Sequence, residues 1–394
     1  MSDAINEGVN DYNELLEFVK REYGLNKEGF EDILGKTSIP QSSERLIYHK
    51  IFYPDEPYIS LLREIIQICK GSQDQGVIEE LRQKGKENTY AYLSCKNIDI
   101  YFATSMRTRE DFELNYTFIN NLLNHDKLRD LRLVYFDPTQ SYIEDRIQKG
   151  LVECLMIKRA KVTVYNAQES ETFGKVAEAS LTIAYGKPVI IYVPRILEDV
   201  SIDSPTNEHL NKIRELYDLL DKSIFYTHDI FLTKLKDRNF ITDEDLEELK
   251  SIEKEKIDII DKLSFTFKKY IDEIEDEIIL SDLYRKGFKT RINGNVREFV
   301  REKFIQFEKD AMIFRDLHPL MFQVSPVDRI PRGVFVARSI DQVARLLRAI
   351  LIDGLEYKIE ELGGNWALFD DITHSAIRVA PNDTAIKIAL ALEK

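Results

Sequence analysis

Four short apolar runs, Ile98–Ala103, Leu131–Phe136, Lys161–Tyr165 and Pro188–Val193, constrain this chain more than any other feature. Stretches with helical spacing separate them, at 110–124, 142–159 and 173–185. The runs are nearly continuous in apolar residues rather than alternating, which suits parallel strands covered on both faces. Strand and helix in repeated succession predict an α/β domain over residues 96–200, with a doubly wound, mostly parallel sheet. Right-handed crossovers place the loops after each strand along one edge, where such sheets bind ligands.

The flanks read differently. Residues 1–95 form a mainly helical region, with Tyr12, Leu15, Leu16, Val19 and Tyr23, then Ile59, Leu62, Ile65 and Ile66, at helical spacing. Residues 201–317 are helical and charged. There Leu246, Leu249, Ile252, Ile257, Ile260, Leu263, Phe267, Ile271, Ile274 and Ile278 follow a Thr242-Asp243-Glu244-Asp245 start that resembles a capping box. The economical reading is one long amphipathic helix that packs on a partner or on the chain itself. Residues 318–394 suggest a small α+β unit. Its parts are a strand at 333–338, a helix capped by Ser339 and Gln342, and half-exposed strands in LEYKIEEL and SAIRVAP. His374 and Arg378, among Asp370, Asp371 and Thr373, read as a surface hairpin with satisfied charges.

Charge and cysteine usage narrow the function. A net charge of −14 disfavours non-specific binding to nucleic acid or to an anionic membrane. No window approaches 18 uninterrupted apolar residues, and the polar start MSDAINEGVNDYNELL does not resemble a signal peptide. Cys69, Cys95 and Cys154 are scattered without CxxC spacing, which argues against a disulfide framework and a zinc site. The expectation is a cytoplasmic protein with no metal and no cofactor, assembling as a homo-oligomer.

Chemistry concentrates on the strand edge. In IDIYFATSMRTREDFE, a buried run surfaces into Thr104, Ser105, Arg107 and Arg109. Hydroxyls, backbone N–H groups at a helix start and guanidinium forks are the groups that hold a phosphate, although Arg107 and Arg109 could equally pair with Glu110, Asp111 or Glu113. In TFGKVAEASLTIAYGKPVI, Glu178 lies among small and apolar neighbours, where a carboxylate is partly desolvated. Glu153 lies on the helix before the strand that ends at Asn166, and can approach the same edge. Two carboxylates and a phosphate cradle suit cleavage of an N-glycosidic bond. One acid stabilises or captures the oxocarbenium-like centre, and a second group moves the proton.

IYFATSMRTRED resembles the signature of nucleoside 2-deoxyribosyltransferase-like proteins, and of their nucleotide N-glycosidase branch in particular. AEASLTIAYGKPVI is similar to that family's helix, with its glutamate eight residues ahead of a Gly-Lys step; here the pair is Glu178 and Gly186. The resemblance covers about 100 residues of the middle region. It implies Ser105 and Arg107 on phosphate, Glu178 as nucleophile or cation stabiliser, and Glu153 as acid–base group or sugar-hydroxyl ligand. This chain has Ala160-Lys161 where an acidic residue commonly opens the third strand, and Gln168, Glu169 and Glu171 where family loops often carry Asp. Toll/interleukin-receptor-like NAD hydrolases share the architecture, so a dinucleotide is the nearest variant substrate. The expected activity is that of an N-glycosyl hydrolase or transferase on a nucleotide or dinucleotide, regulated by its flanks as a toxin or antiviral effector would be. The competing expectation is a nucleotide sensor or assembly module that keeps the fold and has lost catalysis.

Overall fold

The computed structural model describes residues 75–95, 97–131, 133–168, 172–200, 207–223, 226–251, 256–289, 292, 294–315, 333–362 and 365–378. The helical spacing read at 12–23 and 59–66 lies outside them. Strands β1 (Ile98–Ala103), β2 (Tyr135–Phe136), β3 (Ala160–Asn166), β4 (Pro188–Tyr192) and β5 (Gly333–Ala337) are buried almost throughout. They form one all-parallel sheet in the order β2-β1-β3-β4-β5, so the fold is α/β as the apolar runs predict. Ala103 lies opposite Tyr165, and Asn166 opposite Tyr192. The chain leaves β1 towards β2 on one side and continues to β3 on the other. The crevice beyond the carboxyl ends of β1 and β3 is therefore the topological switch point, where open α/β sheets bind ligands.

Both faces are dry. One carries Tyr101, Phe136, Tyr165 and Ile191 under α1 (Gln75–Ser94), α3 (Arg146–Arg159) and α4 (Phe173–Ala184), which contribute Tyr92, Met156, Ile157 and Ala179. The other carries Phe102, Val164, Tyr192 and Ala337 under α2 (Arg109–Leu123) and α11 (Ile340–Arg348). Phe118 of α2 stacks on Tyr192 with centroids 4.6 Å apart.

Four expectations are corrected. The strand at 333–338 pairs with β4, Val189 opposite Val334, and so completes the central sheet instead of belonging to a separate unit. The run Leu131–Phe136 gives only a two-residue strand. Buried Asp99 in β1 takes the Val134 N–H on its carboxylate at 2.9 Å, in place of a regular ladder bond. A further strand, β7 (Asn365–Asp370), lies between β6 (Tyr357–Leu362) and β8 (Ala376–Arg378) in a small antiparallel sheet. The fourth concerns the helical stretch, which does not run unbroken to Ile278.

Between β4 and β5 stand α5 (Asn207–Lys222), α6 (His228–Asp237), α7 (Asp243–Ser251), α8 (Lys256–Asp272), α9 (Asp276–Arg285) and α10 (Val296–Arg315). The chain breaks after α8 because Asp276 and Glu277 favour a fresh helix N-terminus, while Ile274 stays in phase with the apolar stripe. Leu263, Phe267 and Ile271 are fully buried, and Phe267 stacks on Phe304 of α10 at 4.0 Å. That stripe packs on the chain itself. The capping box at Thr242 and Asp245 forms reciprocally, at 2.9 and 3.1 Å.

The turn after α9 closes against α2. Gly287 has φ +90°, and a Cβ there would lie 3.0 Å from the Thr117 Cβ and 3.3 Å from the Leu114 Cα. Gly287→Ala should therefore cost roughly 1–3 kcal/mol, from left-handed strain plus the clash. Urea unfolding measures this, and an unchanged midpoint would contradict the tight contact.

Candidate active site

Thr163 of β3 and Thr182 of α4 meet hydroxyl to hydroxyl at 2.7 Å, and Thr182 also donates to the Glu178 carbonyl at 2.9 Å. This lock sets the register of α4 on the sheet and aims the preceding turns at the strand ends. One turn beyond is Lys175, 1% exposed, whose Nζ donates to the Asn166 carbonyl at 2.8 Å and lies 4.8 Å from the Tyr165 ring centre.

Glu178 and Glu153 lie close enough for the charge of Glu153 to act on Glu178. Burial, and then the charge of Glu153, push the Glu178 carboxyl up to about 8; Tyr101, Lys149 and Lys175 offset part of the effect. Burial also raises Glu153, against the opposing Lys149 ammonium 3.7 Å away. The Tyr101 hydroxyl lies beside the Glu178 carboxyl without reaching hydrogen-bond geometry. Among the described residues, neither Tyr101 Oη nor Glu178 Oε2 has a hydrogen-bond partner. Burial first, then the two glutamates, hold the Tyr101 phenol well above its ordinary value. Burial and the neighbouring Glu153 thus let Glu178 hold its proton into the neutral range, and burial raises Glu153 in the same direction. Sequence reading missed Tyr101; its one signal was a polar-tipped ring within an otherwise apolar strand.

The loop after β1 departs from the expected phosphate cradle. Asp111, fully buried, accepts from Ser105 Oγ at 2.9 Å and from the Arg107 and Thr108 N–H groups at 3.1 Å each. Asp111 stands at the third helical position and closes a capping box with Thr108, so an internal carboxylate takes the donors an external anion would use. Of the expected phosphate ligands, Arg107 is exposed, with its backbone N–H tied to Asp111. Arg109 opens α2. Thr104 is buried, and among the described residues its Oγ1 lacks a partner.

Amides complete the edge. Asn166 accepts the Gln168 N–H on its Oδ1 at 3.1 Å, and Gln168 donates its Nε2 to the Lys286 carbonyl at 3.0 Å. Asn115 of α2 gives its Nδ2 to Asp137 at 3.5 Å. Burial lifts the Asp137 carboxyl to about 6, against hydrogen bonds from Thr139. Among the described residues, Asn166 Nδ2, Gln168 Oε1 and Asn115 Oδ1 have no partner, although the three side chains are at most 1% exposed. Buried polar atoms are nearly always paired, so each of these three atoms stands out against the rest of the core. Asn115 and Gln168 were not singled out as binding residues in the sequence reading.

Comparison with family models, with curated proteins and with solved structures gives no match. Among the described residues, no group of three or more His, Cys, Asp or Glu is placed to hold a metal ion, and no helix is long and apolar enough to cross a membrane. A surface cavity of about 390 Å³ opens elsewhere, between α6, α7 and α8, lined by Lys236, Phe240, Thr242 and Tyr270 among others.

Proposed function

We propose that the chain cleaves the N-glycosidic bond of a nucleotide or dinucleotide at the switch-point crevice. What supports this most is a buried glutamic acid, Glu178, whose carboxyl is pushed up to about 8 by burial and by a second glutamate, Glu153, beside it. Such a pair suits a reaction that protonates a leaving base while positive charge develops at the sugar carbon. Glu178 gives its proton to the departing base. Glu153 stabilises the oxocarbenium-like centre, and water or an acceptor hydroxyl then adds to the sugar carbon, its proton passing to the Glu178 carboxylate and restoring the acid. The proton therefore sits on Glu178, the reverse of the roles that the family resemblance implies. The exposed Arg107 guanidinium is the phosphate ligand in this reading, acting from the rim because Asp111 fills the loop behind it.

Purified protein incubated with nucleoside monophosphates, NAD and unphosphorylated nucleosides should release free base, read by chromatography. Thermal stabilisation by these compounds with no base released would reassign the site to binding alone. Arg107→Ala should raise KM for a phosphorylated substrate roughly 10-fold and leave an unphosphorylated one unchanged, as expected for a rim guanidinium contact. Equal effects on both would remove Arg107 from phosphate recognition.

A further inference from the structure

We infer that the crevice contains a dedicated base-reading element, in which the fixed amides of Asn166 and Gln168 bind the planar donor–acceptor edge of a nucleobase or of a ring carboxamide. This deepens the glycosidic reading and rests on it for the class of ligand. An isolated amide can turn over, so its free end is ambiguous; here the protein removes the ambiguity. Asn166 Oδ1 is occupied by the Gln168 N–H, which leaves Nδ2 as a donor. Gln168 Nε2 is occupied by the Lys286 carbonyl, which leaves Oε1 as an acceptor. Asn115 Oδ1 adds a second acceptor on α2, and Thr104 Oγ1 a hydroxyl that serves either way. One oriented donor with oriented acceptors complements a group carrying a carbonyl next to an N–H.

The surroundings favour a flat ring over a sugar or a phosphate. Asn166 lies opposite Tyr192 in the sheet, and Tyr192 stacks on Phe118, one turn along α2 from Asn115. The row is neutral and has Asp137 beside it, and the adjacent cations Lys175 and Lys286 are engaged by the Asn166 carbonyl and by Asp282. An anion would find no free positive charge in this row. A sugar would bring several hydroxyls needing partners into an aromatic-lined strip.

The element is fixed from outside the sheet as well. The turn carrying Lys286 and Gly287 is held to α2 by the close approach at Thr117 and by the Asn121 side chain donating to the Arg285 carbonyl at 3.2 Å. The segment between β4 and β5 therefore sets the orientation of Gln168, and through it the acceptor presented to the ligand.

The test is binding of free compounds to the intact protein, without turnover, by calorimetric titration of nicotinamide, hypoxanthine, nicotinate and ribose. Nicotinamide or hypoxanthine should bind, and whichever binds identifies the source of the edge. Nicotinate and ribose should bind roughly 100-fold more weakly or not at all, since buried groups built to pair reject a ligand that leaves them unpaired. Asn166→Asp and Gln168→Met, each checked for a native circular dichroism spectrum, should weaken binding by a similar factor. The proposal is overturned if nicotinate or ribose binds as well as the amides, if no base binds, or if a folded variant binds like wild type. Base binding without hydrolysis would uphold it while removing the catalytic reading, and hydrolysis without selective base binding would do the reverse.

Discussion

Glu178→Gln is expected to lower base release roughly 1000-fold, because the neutral isostere fills the same space and has no proton to deliver. The wild-type rate should fall as pH rises through about 8, where the Glu178 carboxyl ionises. Glu153→Gln should shift that limb to lower pH, since the neighbouring negative charge holds the Glu178 proton in place after burial itself. Stability carries the same signature. The folded-state value of Glu178 lies above the ordinary 4.5, so the native state holds an extra proton between about 4.5 and 8. Native stability then declines across that window by an amount on the order of 4 kcal/mol and levels off above it. Urea unfolding of Glu178→Gln at pH 6 and pH 9 should lack this decline. A variant that releases base as fast as wild type would take Glu178 out of the reaction.

The second large effect lies where the helical segment meets the sheet. Arg195, just beyond β4, pairs with Asp221 of α5 at 2.6 Å, and Arg315 at the end of α10 pairs with the same carboxylate. Arg338, just beyond β5, pairs with Glu308 of α10, both almost fully buried. Asp221→Asn removes the carboxylate that Arg315 pairs with and leaves Arg195 with Glu198 alone, and should cost about 3–5 kcal/mol. Arg195, Arg315 and Arg338 hold the Asp221 carboxyl far below its ordinary value against the opposing effect of burial. A depressed carboxyl contributes stability that is present above its unfolded value near 3.9 and is lost as pH falls below it. The variant should therefore show a lower urea midpoint at pH 7 and a shallower loss between pH 4 and pH 2. An unchanged midpoint would mean that water reaches this cluster.

The sheet was legible because strands covered on both faces need continuous apolar runs, and IDIYFA, KVTVY and PVIIYV are such runs. β5 was legible as a strand but not as a neighbour of β4, since residues 193–332 separate them and no local pattern encodes that pairing. β7 was missed because its partners set its pairing, not an alternating pattern of its own. The meeting of Glu178 with Glu153 followed from topology, because the helices before and after β3 pack on the same face of the sheet. The loop after β1 stayed open between two readings for a physical reason: a capping box and an anion site use the same N–H groups, and spacing alone does not say which anion takes them. The orphan ends of Asn166 and Gln168 depend on where each amide's other end is tied. One of those ties, Lys286, lies 118 positions away from Gln168.

The most direct measurement is the titration of side-chain carboxyls by carbon NMR on protein labelled at glutamate, with Glu178→Gln assigning the resonance. One carboxyl should titrate near 8 and move to lower pH in Glu153→Gln. If every glutamate in the described helices titrates close to 4.5, no proton is held at the crevice, and the acid pair at the centre of the proposed chemistry does not exist.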